Sequence, residues 1–384
     1  MIDFSLYEEE LIKLRREFHQ IPELGYNEFK TSKKIKEYLK EYGITDIKEY
    51  MDTGVCATIY GKGNKTIGIR ADIDALPVFE ETNLPYKSLH DGVMHACGHD
   101  GHIAMALIVA KIFCENKEEL NGNLKIIFQP CEEGDGGAKI MIEEGVLKSP
   151  DVDYMVSGHL WPDIETGKVD ITKGITFARA DIIRISVNGI GGHGALPHNV
   201  KDSLFVGSKI VVALKELNKK YNENNKKVIL SICSFDCKSI YNIFRDNAYI
   251  EGTLRTVDDI TREEITKDIE ETVKKILNEE NIDGNCKITL DFPALRNDLK
   301  LSDILKPTIE NTIGKENLID FGPVMGAEDF SYFSNEVPSI HYKIGSKNGD
   351  SPYNLHNSKY ELNESSLLVG VKVFYNSIKK LLEI

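Results

Sequence analysis

The chain has 384 residues, 41% of them hydrophobic and 28% charged, an ordinary globular composition that excludes collagen-like, disordered and small disulfide-rich proteins. Its length exceeds what one hydrophobic core usually serves, so we expect two domains. Lys and Arg number 47 against 61 Asp and Glu, and the resulting net charge of −14 argues against nucleic acid or an anionic membrane as the main partner.

The cysteine pattern and the apolar segments predict a cytoplasmic protein. Seven cysteines lack a paired CxxC spacing, which argues against a disulfide framework and favours a reducing compartment. The charged N-terminal segment has no apolar centre of the kind found in secretory signals. The longest apolar stretch, around Ile103–Phe113, is too short to span a bilayer.

The first part of the chain alternates between helix and strand patterns. Apolar residues at helical spacing predict helices over residues 6–19 and 28–42, and a third helix over His102–Cys114 with Asp100 as its N-cap. Strand patterns occur at Val55–Tyr60, Thr66–Ala71, Leu124–Phe128 and Tyr154–Ser157. This alternation predicts an α/β fold with a mostly parallel sheet that helices cover on both faces.

A different pattern follows, in the order β-α-β-β-α-β. Its strands are Asp181–Asn188, Lys227–Cys233, Ala248–Leu254 and Cys286–Asp291, and its helices span about residues 200–221 and 261–280. This order is typical of a ferredoxin-like α+β domain, whose ends lie close together as an inserted domain requires. We therefore predict a discontinuous main domain, 1–178 and 293–384, with an inserted domain, 179–292.

Histidines are concentrated in one short tract, Met94–His102, which has the sequence MHACGHDGH. Cys97 and His99 stand two residues apart on a glycine-flanked loop, and cysteine, histidine and carboxylate are the ligands of zinc and its first-row neighbours. A polar loop whose histidines are all hydrogen-bonded is the alternative. The tract indicates a metal site without proving one.

Acidic residues follow two of the predicted strands. Asp72 and Asp74 lie on one face of an extended segment, where ligands bind in open α/β sheets, although an ion pair with Arg70 would also explain them. Glu132 and Glu133 come after Leu124–Phe128, and one of them could bind a metal while the other faces a substrate. Each motif alone is weak.

Three further histidines are candidates because of their positions. His159 ends a predicted strand and His356 lies near the C-terminus, both in the predicted main domain. His193 lies on a glycine-rich loop of the predicted insert. Taken alone, His159 and His356 are more often structural, whereas a tight turn and a role at an active site explain His193 equally well.

Nine motifs, taken in order, resemble a family of dinuclear-metal amidohydrolases that includes hippurate hydrolases, aminoacylases, auxin-conjugate hydrolases and N-acetyldiaminopimelate deacetylases, and that is related to carboxypeptidase G. The resemblance covers about residues 7–378. The motifs are RREFHQIPELG (15–25), GIRADIDALP (68–77), MHACGHDGH (94–102), FQPCEEGDGGA (128–138), GHLWP (158–162), GGHGALPH (191–198), EGTLRT (251–256), MGAEDFSYF (325–333) and NLHN (354–357).

The resemblance implies a metallopeptidase-type catalytic domain with an inserted lid and dimerisation domain, and a role for each matching residue. Two divalent ions per subunit, zinc, manganese, nickel or cobalt, would be held by Cys97, His99, Glu133, His159 and His356, with Cys97 bridging them. Glu132 would be the general base, Asp74 would orient a metal ligand, and His193 would complete the oxyanion site, in its own or a partner subunit. Asn242 is a weak candidate for a substrate contact.

The resemblance also implies the reaction, hydrolysis of an N-acyl-amino acid to a carboxylic acid and a free amino acid. A dipeptidase, a carboxypeptidase or an N-acetyldiaminopimelate deacetylase on the same centre is the alternative, and a regulatory protein with a structural metal site is a further one. Cys131 replaces the usual alanine and Arg245 the usual proline, so the exact substrate does not follow. A homodimer formed through the inserted domain is expected.

Overall fold

The computed structural model describes residues 2–134 and 136–384, which form two compact units. The first unit comprises Met1–Thr176, Arg296–Gly322 and Asp329–Ile384, and the second comprises Phe177–Leu295 and Pro323–Glu328. The catalytic and lid roles predicted for the two parts of the chain stay predictions.

The secondary structure alternates between helix and strand for most of the chain. In chain order the strands are β1 Asp46–Tyr50, β2 Gly54–Tyr60, β3 Thr66–Asp72, β4 Asn123–Gln129, β5 Tyr154–Glu165, β6 Val169–Asp170, β7 Gly174–Phe177, β8 Arg179–Asn188, β9 Gly192–His193, β10 Val228–Asp236, β11 Ile243–Phe244, β12 Asn247–Thr256, β13 Asp283–Phe292, β14 Leu295–Asn297, β15 Leu318–Ile319 and β16 Ser339–Lys347. The α-helices are α1 Glu8–His19, α2 Phe29–Glu41, α3 His99–Glu115, α4 Gly137–Glu143, α5 Ser203–Glu223, α6 Asp259–Glu279, α7 Leu299–Ile313, α8 Phe330–Glu336 and α9 Ser365–Glu383.

Among the described residues, the first unit is built on an eight-stranded sheet in the order β1-β2-β4-β3-β5-β16-β6-β15. The central neighbours β4, β3, β5 and β16 are all parallel, whereas β1, β2 and β6 pair antiparallel towards the edges. Strands β3 and β4 are buried along their whole length, as expected for a sheet that helices cover on both faces. The predicted α/β fold with a mostly parallel sheet is confirmed.

Helix α3 is the most deeply buried helix of those the structure describes, with Ile103–Ala110 almost fully shielded from solvent. It begins at His99, after Gly98 adopts a left-handed conformation with φ +83° that glycine tolerates without strain. The prediction that Asp100 is the N-cap is therefore wrong. Asp100 lies in the first turn, where its carboxylate contacts Arg15 and His19 of α1.

The second unit contains a sheet with the order β10-β12-β8-β13, in which every pair of neighbours is antiparallel. Helices α5 and α6 pack against the sheet and bury a core of their own, which includes Ile183, Ile210 and Ile269. The chain order β8-α5-β10-β12-α6-β13 is the predicted ferredoxin-like arrangement.

Over residues 2–134 and 136–384, no helix has both the length and the apolar character that crossing a membrane requires.

Candidate metal centre

The parallel strands of the first unit deliver polar residues to one edge of the sheet. Strand β3 ends at Asp72, two residues before Asp74, and its neighbour β4 ends at Gln129, shortly before Glu132 and Glu133. His159 lies on β5, which pairs with β3 on the other side. Because the carboxyl ends of parallel strands share an edge, the topology itself brings these side chains together.

The five residues predicted to bind metal form one group, which we call the ligand cluster: Cys97, His99, Glu133, His159 and His356. The side-chain donor atoms of Cys97, His99 and His159 lie within 4.8 Å of one another, as do those of Cys97, Glu133 and His356. Cys97 Sγ is 3.3 Å from His159 Nε2, and His356 Nε2 is 3.2 Å from Glu133 Oε1. Cys97 thus belongs to both triads, the position expected of a bridging ligand.

Two donor atoms of the ligand cluster have no hydrogen bond to any described residue. His99 Nε2 and Glu133 Oε1 are both buried and lie 3.9 Å apart, and neither makes a hydrogen bond of acceptable geometry, although Glu133 Oε1 is 3.2 Å from His356 Nε2. Buried polar atoms normally find a partner, and leaving one unpaired costs about 1–3 kcal/mol. The cluster combines a cysteine sulfur, histidine nitrogens and a glutamate oxygen. Such a mixed set of donor atoms fits a first-row divalent cation.

The two buried histidines of the ligand cluster are oriented by backbone carbonyls. His99 Nδ1 donates to Asp74 O at 2.9 Å, and His159 Nδ1 donates to Leu160 O at 2.8 Å. When either ring is neutral, its proton is on Nδ1 and the lone pair of Nε2 points into the cluster. A carbonyl or carboxylate behind the imidazole is the usual support for a metal-binding histidine.

The Asp74 carboxylate connects two members of the ligand cluster. Its Oδ2 accepts the Glu133 backbone N–H at 2.9 Å, and its Oδ1 lies 3.3 Å from His99 Nδ1. Asp74 is buried and touches the ligands rather than the centre of the cluster. This position is the one expected of a residue that orients ligands.

Asp72, His99 and His102 also place their donor atoms close together, but His102 is fully occupied by protein partners. Its Nε2 accepts the Leu160 N–H at 3.0 Å and its Nδ1 donates to Asp72 Oδ1 at 2.5 Å. The other oxygen of Asp72 accepts from Arg70 Nη1 at 2.7 Å. His102 therefore has no lone pair left for a metal, and its partner Asp72 is held by His102 and Arg70.

The electrostatics of the ligand cluster show a deficit of positive charge. Burial, together with the charges of Glu133 and Glu132, raises the pKa of Cys97 well above its usual range. Burial opposes ionisation of His99, but Asp72 and Asp74 outweigh it and raise the pKa of His99 to about 10. The surrounding carboxylates thus hold a proton on His99 where a cation would bind, and a cation would favour the thiolate of Cys97.

Two of the remaining three shifts agree with metal ligation, whereas the contact with Glu133 raises the pKa of His356. Burial opposes the charge of Glu133, but the proximity of His356 and the charge of His99 lower the pKa of Glu133 to about 2. Burial and the neighbouring His102 lower the pKa of His159 to about 3. An ionised carboxylate and a neutral imidazole are the forms in which these residues bind metals.

Glu132 lies at the margin of the ligand cluster. One carboxylate oxygen of Glu132 lies within 4.8 Å of ligand atoms of His99 and Glu133. The side chain is partly accessible to solvent, unlike that of His99. A carboxylate beside a metal site, and reachable by water, is placed as a general base requires.

His193 and Asn242 belong to the second unit, where the structure brings them together. His193 on β9 pairs with Ile243 on β11, and the Gly194 N–H donates to Asn242 O at 2.7 Å. The exposed His193 ring accepts the Ala195 N–H through Nδ1 at 3.0 Å. Their predicted roles toward a substrate stay predictions.

A second group of buried charges was not predicted; we call it the ion-pair cluster, consisting of Arg15, His19, Glu80 and Asp100. Asp100 Oδ2 lies 2.8 Å from Arg15 Nε and 2.7 Å from His19 Nδ1, while His19 Nε2 lies 3.3 Å from Glu80 Oε1. The available signal was the burial pattern of α1, since Arg15 and His19 occur on the same helical face as Leu11 and Phe18.

Comparisons with known proteins identify the family. Residues 68–380 match the sequence profile of Peptidase family M20/M25/M40. The chain is 34% identical over 383 residues to the N-acetyl-L-cysteine deacetylase of Bacillus subtilis, covering 100% of this chain and 90% of that protein. It is 36% identical over 360 residues to the hippurate hydrolase of Campylobacter jejuni, covering 93% of each.

A solved structure agrees with these matches. The YXEP protein of Bacillus subtilis, described as a dinuclear metal binding peptidase from the M20 family, superposes with a TM-score of 0.86 at 28% identity, covering 99% of each chain. The resemblance inferred from the sequence motifs is confirmed. The chain belongs to Peptidase family M20/M25/M40 and is a hydrolase of amide bonds.

Proposed function

We propose that this protein is a metal-dependent amidohydrolase that cleaves N-acyl-amino acids into a carboxylic acid and a free amino acid. The observation that carries the proposal is the ligand cluster, whose buried His99 Nε2 and Glu133 Oε1 lack hydrogen bonds within the described part of the chain while Glu132 lies beside them. A purely structural metal site is normally closed by its ligands and needs no additional carboxylate at its edge.

The five residues of the ligand cluster would hold two divalent ions, with Cys97 shared between them. A mixed set of sulfur, nitrogen and oxygen donors suits zinc, manganese, nickel or cobalt, so the donors alone do not select one metal. When bound, such ions polarise a carbonyl group and lower the pKa of a water molecule from about 15.7 towards 7.

Glu132 would perform the proton transfers of the reaction. Its carboxylate accepts a proton from the attacking water and later donates it to the nitrogen of the departing amino acid. A positioned general base typically contributes about 10²–10⁴-fold to the rate. Asp74 would keep His99 and the Glu133 backbone in place while Glu132 carries the proton.

The second unit would act as a lid and supply contacts to the substrate. The pairing of β9 with β11 holds His193 next to Asn242, which supports a shared role, with His193 donating a hydrogen bond to the developing oxyanion. We also propose that two copies associate through this unit, so that His193 could serve its own or a partner's site.

The choice of an N-acyl-amino acid rather than a peptide is supported by the relatives, two of which are named for the removal of acyl groups from amino acids. The test is hydrolysis by purified, chelator-treated protein after addition of manganese, zinc, cobalt or nickel. The panel contains acetyl-, benzoyl- and longer acyl-amino acids, N-acetyldiaminopimelate and dipeptides, and both products are quantified by chromatography.

We expect metal-dependent release of a free amino acid and a carboxylic acid. Faster turnover of dipeptides would favour a dipeptidase or carboxypeptidase, and preference for N-acetyldiaminopimelate would favour that deacetylase. Absence of turnover with every metal would overturn the enzymatic proposal.

A further inference from the structure

The loop that carries Glu132 and Glu133 begins with an unfavourable backbone conformation. Cys131 has φ +55°, in the left-handed region, where its Cβ crowds the backbone. Glu132 follows directly, so the backbone angles of Cys131 set the direction in which the loop presents both glutamates. A disfavoured conformation of this kind persists only when the surroundings hold it.

A buried carboxylate accepts a hydrogen bond from the backbone of Cys131. Glu28 Oε1 accepts the Cys131 N–H at 2.9 Å, and Glu28 Oε2 accepts the hydroxyl of Thr53 at 2.8 Å. Glu28 immediately precedes α2, but its side chain makes no capping bond to that helix and is 0% exposed. Its carboxylate is therefore directed to the loop and not to its own helix.

The rest of Cys131 is equally confined. Its carbonyl accepts the Gly137 N–H at 3.0 Å, which closes the loop. A Cβ atom on either Gly25 or Gly134 would come within 2.8 Å of Cys131 Sγ, so the sulfur occupies a slot that exists because both neighbours are glycines. The N–H of Cys131 is held by a side chain, that of Glu28.

We propose that Glu28 is a positioning residue, which keeps Cys131 in the left-handed conformation and thereby aims Glu132 and Glu133 at the metal centre. The inference rests on the proposed function for the roles of those two glutamates. Burial of the carboxylate raises the pKa of Glu28 to about 7, and among the described residues no cation forms an ion pair with it. Burying an acid at position 28 lowers the stability of the fold, and the two hydrogen bonds that its carboxylate accepts explain why an acid is there.

The decisive comparison is between Glu28→Ala and Glu28→Gln. The glutamine amide can accept from Cys131 N–H through its oxygen and donate to Thr53 through its nitrogen, so it retains both bonds. We expect Glu28→Ala to lower kcat by about 10²-fold, as a misplaced catalytic group does, with little change in KM. Glu28→Gln should stay within a few-fold of wild type.

Two readouts do not depend on turnover. Amide hydrogen exchange of the loop, followed by mass spectrometry in metal-free protein, should accelerate in Glu28→Ala and not in Glu28→Gln. Equilibrium dialysis should show weaker cobalt binding by Glu28→Ala, because Glu133 is displaced. If wild-type protein neither binds cobalt nor hydrolyses any substrate, the proposed function fails, while the exchange data still test whether Glu28 holds the loop.

Two further variants separate positioning from general stability. Asp153→Ala removes an exposed carboxylate that also accepts a backbone N–H, that of Thr66 at 2.8 Å at the start of β3, and it should lower stability while kcat stays unchanged. Adding Cys131→Gly to Glu28→Ala should restore most of kcat, since glycine adopts the left-handed conformation freely, and should keep the protein folded if Glu28→Ala alone does not fold. Wild-type kcat and exchange in Glu28→Ala, or a folded but inactive double variant, would overturn the proposal.

Discussion

Two groups of buried charge lie side by side at the start of α3, and they differ in where their positive charge comes from. In the ion-pair cluster, Asp100 and Glu80 face Arg15 and His19, so the chain supplies both signs. In the ligand cluster, one carboxylate and one thiol converge on three imidazoles, and His99 Nε2 stays without a hydrogen bond among the described residues. His99 and Asp100 are adjacent, about 100° apart around the helix, yet each faces a different environment.

The difference teaches how to distinguish a structural from a metal-binding arrangement of the same residue types. In the ion-pair cluster burial opposes the charges, but Arg15 and His19 hold the pKa of Asp100 well below its usual range. In the ligand cluster, by contrast, burial and the nearby glutamates raise the pKa of Cys97 well above its usual range. A cluster whose charges balance within the chain needs no ion, whereas the ligand cluster is completed by one.

The largest expected effect is on turnover. Glu132→Gln should lower kcat by about 10²–10⁴-fold, because the amide cannot accept the proton of water. Metal content, measured by elemental analysis, and thermal stability should remain those of wild type, since neither cluster loses a member. A variant that turns over at nearly the wild-type rate would remove Glu132 from the role of base.

The next largest effect should be a loss of stability in a variant that keeps every residue of the ligand cluster. Asp100→Asn removes the nearer of the two carboxylates that face the buried Arg15, at 2.8 Å, and leaves only Glu364 at 3.3 Å. Breaking a buried ion pair typically costs about 3–5 kcal/mol. Urea unfolding of metal-free protein measures this loss. Asp151→Asn is the matched control, because its ion pair with Lys148 is exposed and contributes at most about 1 kcal/mol. Equal losses of unfolding free energy in the two variants would mean that the buried ion-pair cluster stabilises the fold no more than an exposed ion pair does.

Metal should stabilise the folded protein through the ligand cluster alone. Free metal at a hundredfold excess over its Kd stabilises a folded state by about 2.7 kcal/mol, and a chelator reverses this. Cys97→Ser should lose metal content and abolish the shift in Tm. Cys56→Ser, a change at another buried cysteine, should retain the shift. Unchanged metal content in Cys97→Ser would contradict the bridging role of Cys97.

A smaller effect is expected at Asp74. Removing the charge that orients a metal ligand typically weakens metal binding about 10–100-fold. Asp74→Asn should therefore need more metal to reach full activity, while kcat at saturating metal changes less. Titration of the apo-protein by calorimetry gives the affinity, and an unchanged Kd would leave Asp74 with a structural role only.

The smallest effect tests a buried carboxyl without a cation. Burial raises the pKa of Glu28 to about 7, so folding favours its protonated form. The resulting stabilisation is present at low pH and is lost as the pH rises through about 7. The difference in unfolding free energy between wild type and Glu28→Gln, measured in urea without metal, should shift against wild type between about pH 5.5 and about pH 8. A constant difference would contradict the raised pKa.

The sequence predicts the fold and the strand-end placement well because both depend on local patterns. Asp74, Glu132 and Glu133 follow apolar strands, and parallel pairing necessarily carries such residues to one edge. The ferredoxin-like order was likewise readable from strand and helix periodicity. These inferences require only the spacing of apolar and polar residues.

Pairwise partners could not be predicted. Nothing in the tract Met94–His102 indicates that His99 keeps Nε2 unpaired while the Leu160 N–H occupies His102. Asp100 has the residue type and position of an N-cap. The helix nevertheless begins earlier, after the left-handed Gly98, and the Asp100 carboxylate contacts Arg15 of α1. Such outcomes depend on contacts between segments far apart in sequence.

The position of β16 has a consequence for how the chain is synthesised. Among the described strands it comes last in chain order, so it leaves the ribosome after the others, yet it lies between β5 and β6 in the middle of the sheet. Until it emerges, β5 exposes an unpaired apolar edge, the kind of surface on which nascent chains aggregate or recruit chaperones. Truncated chains that end before Ser339 should therefore be insoluble. A premature stop codon would then be noticed first as aggregation or degradation of the chain, before any loss of enzymatic rate could be measured.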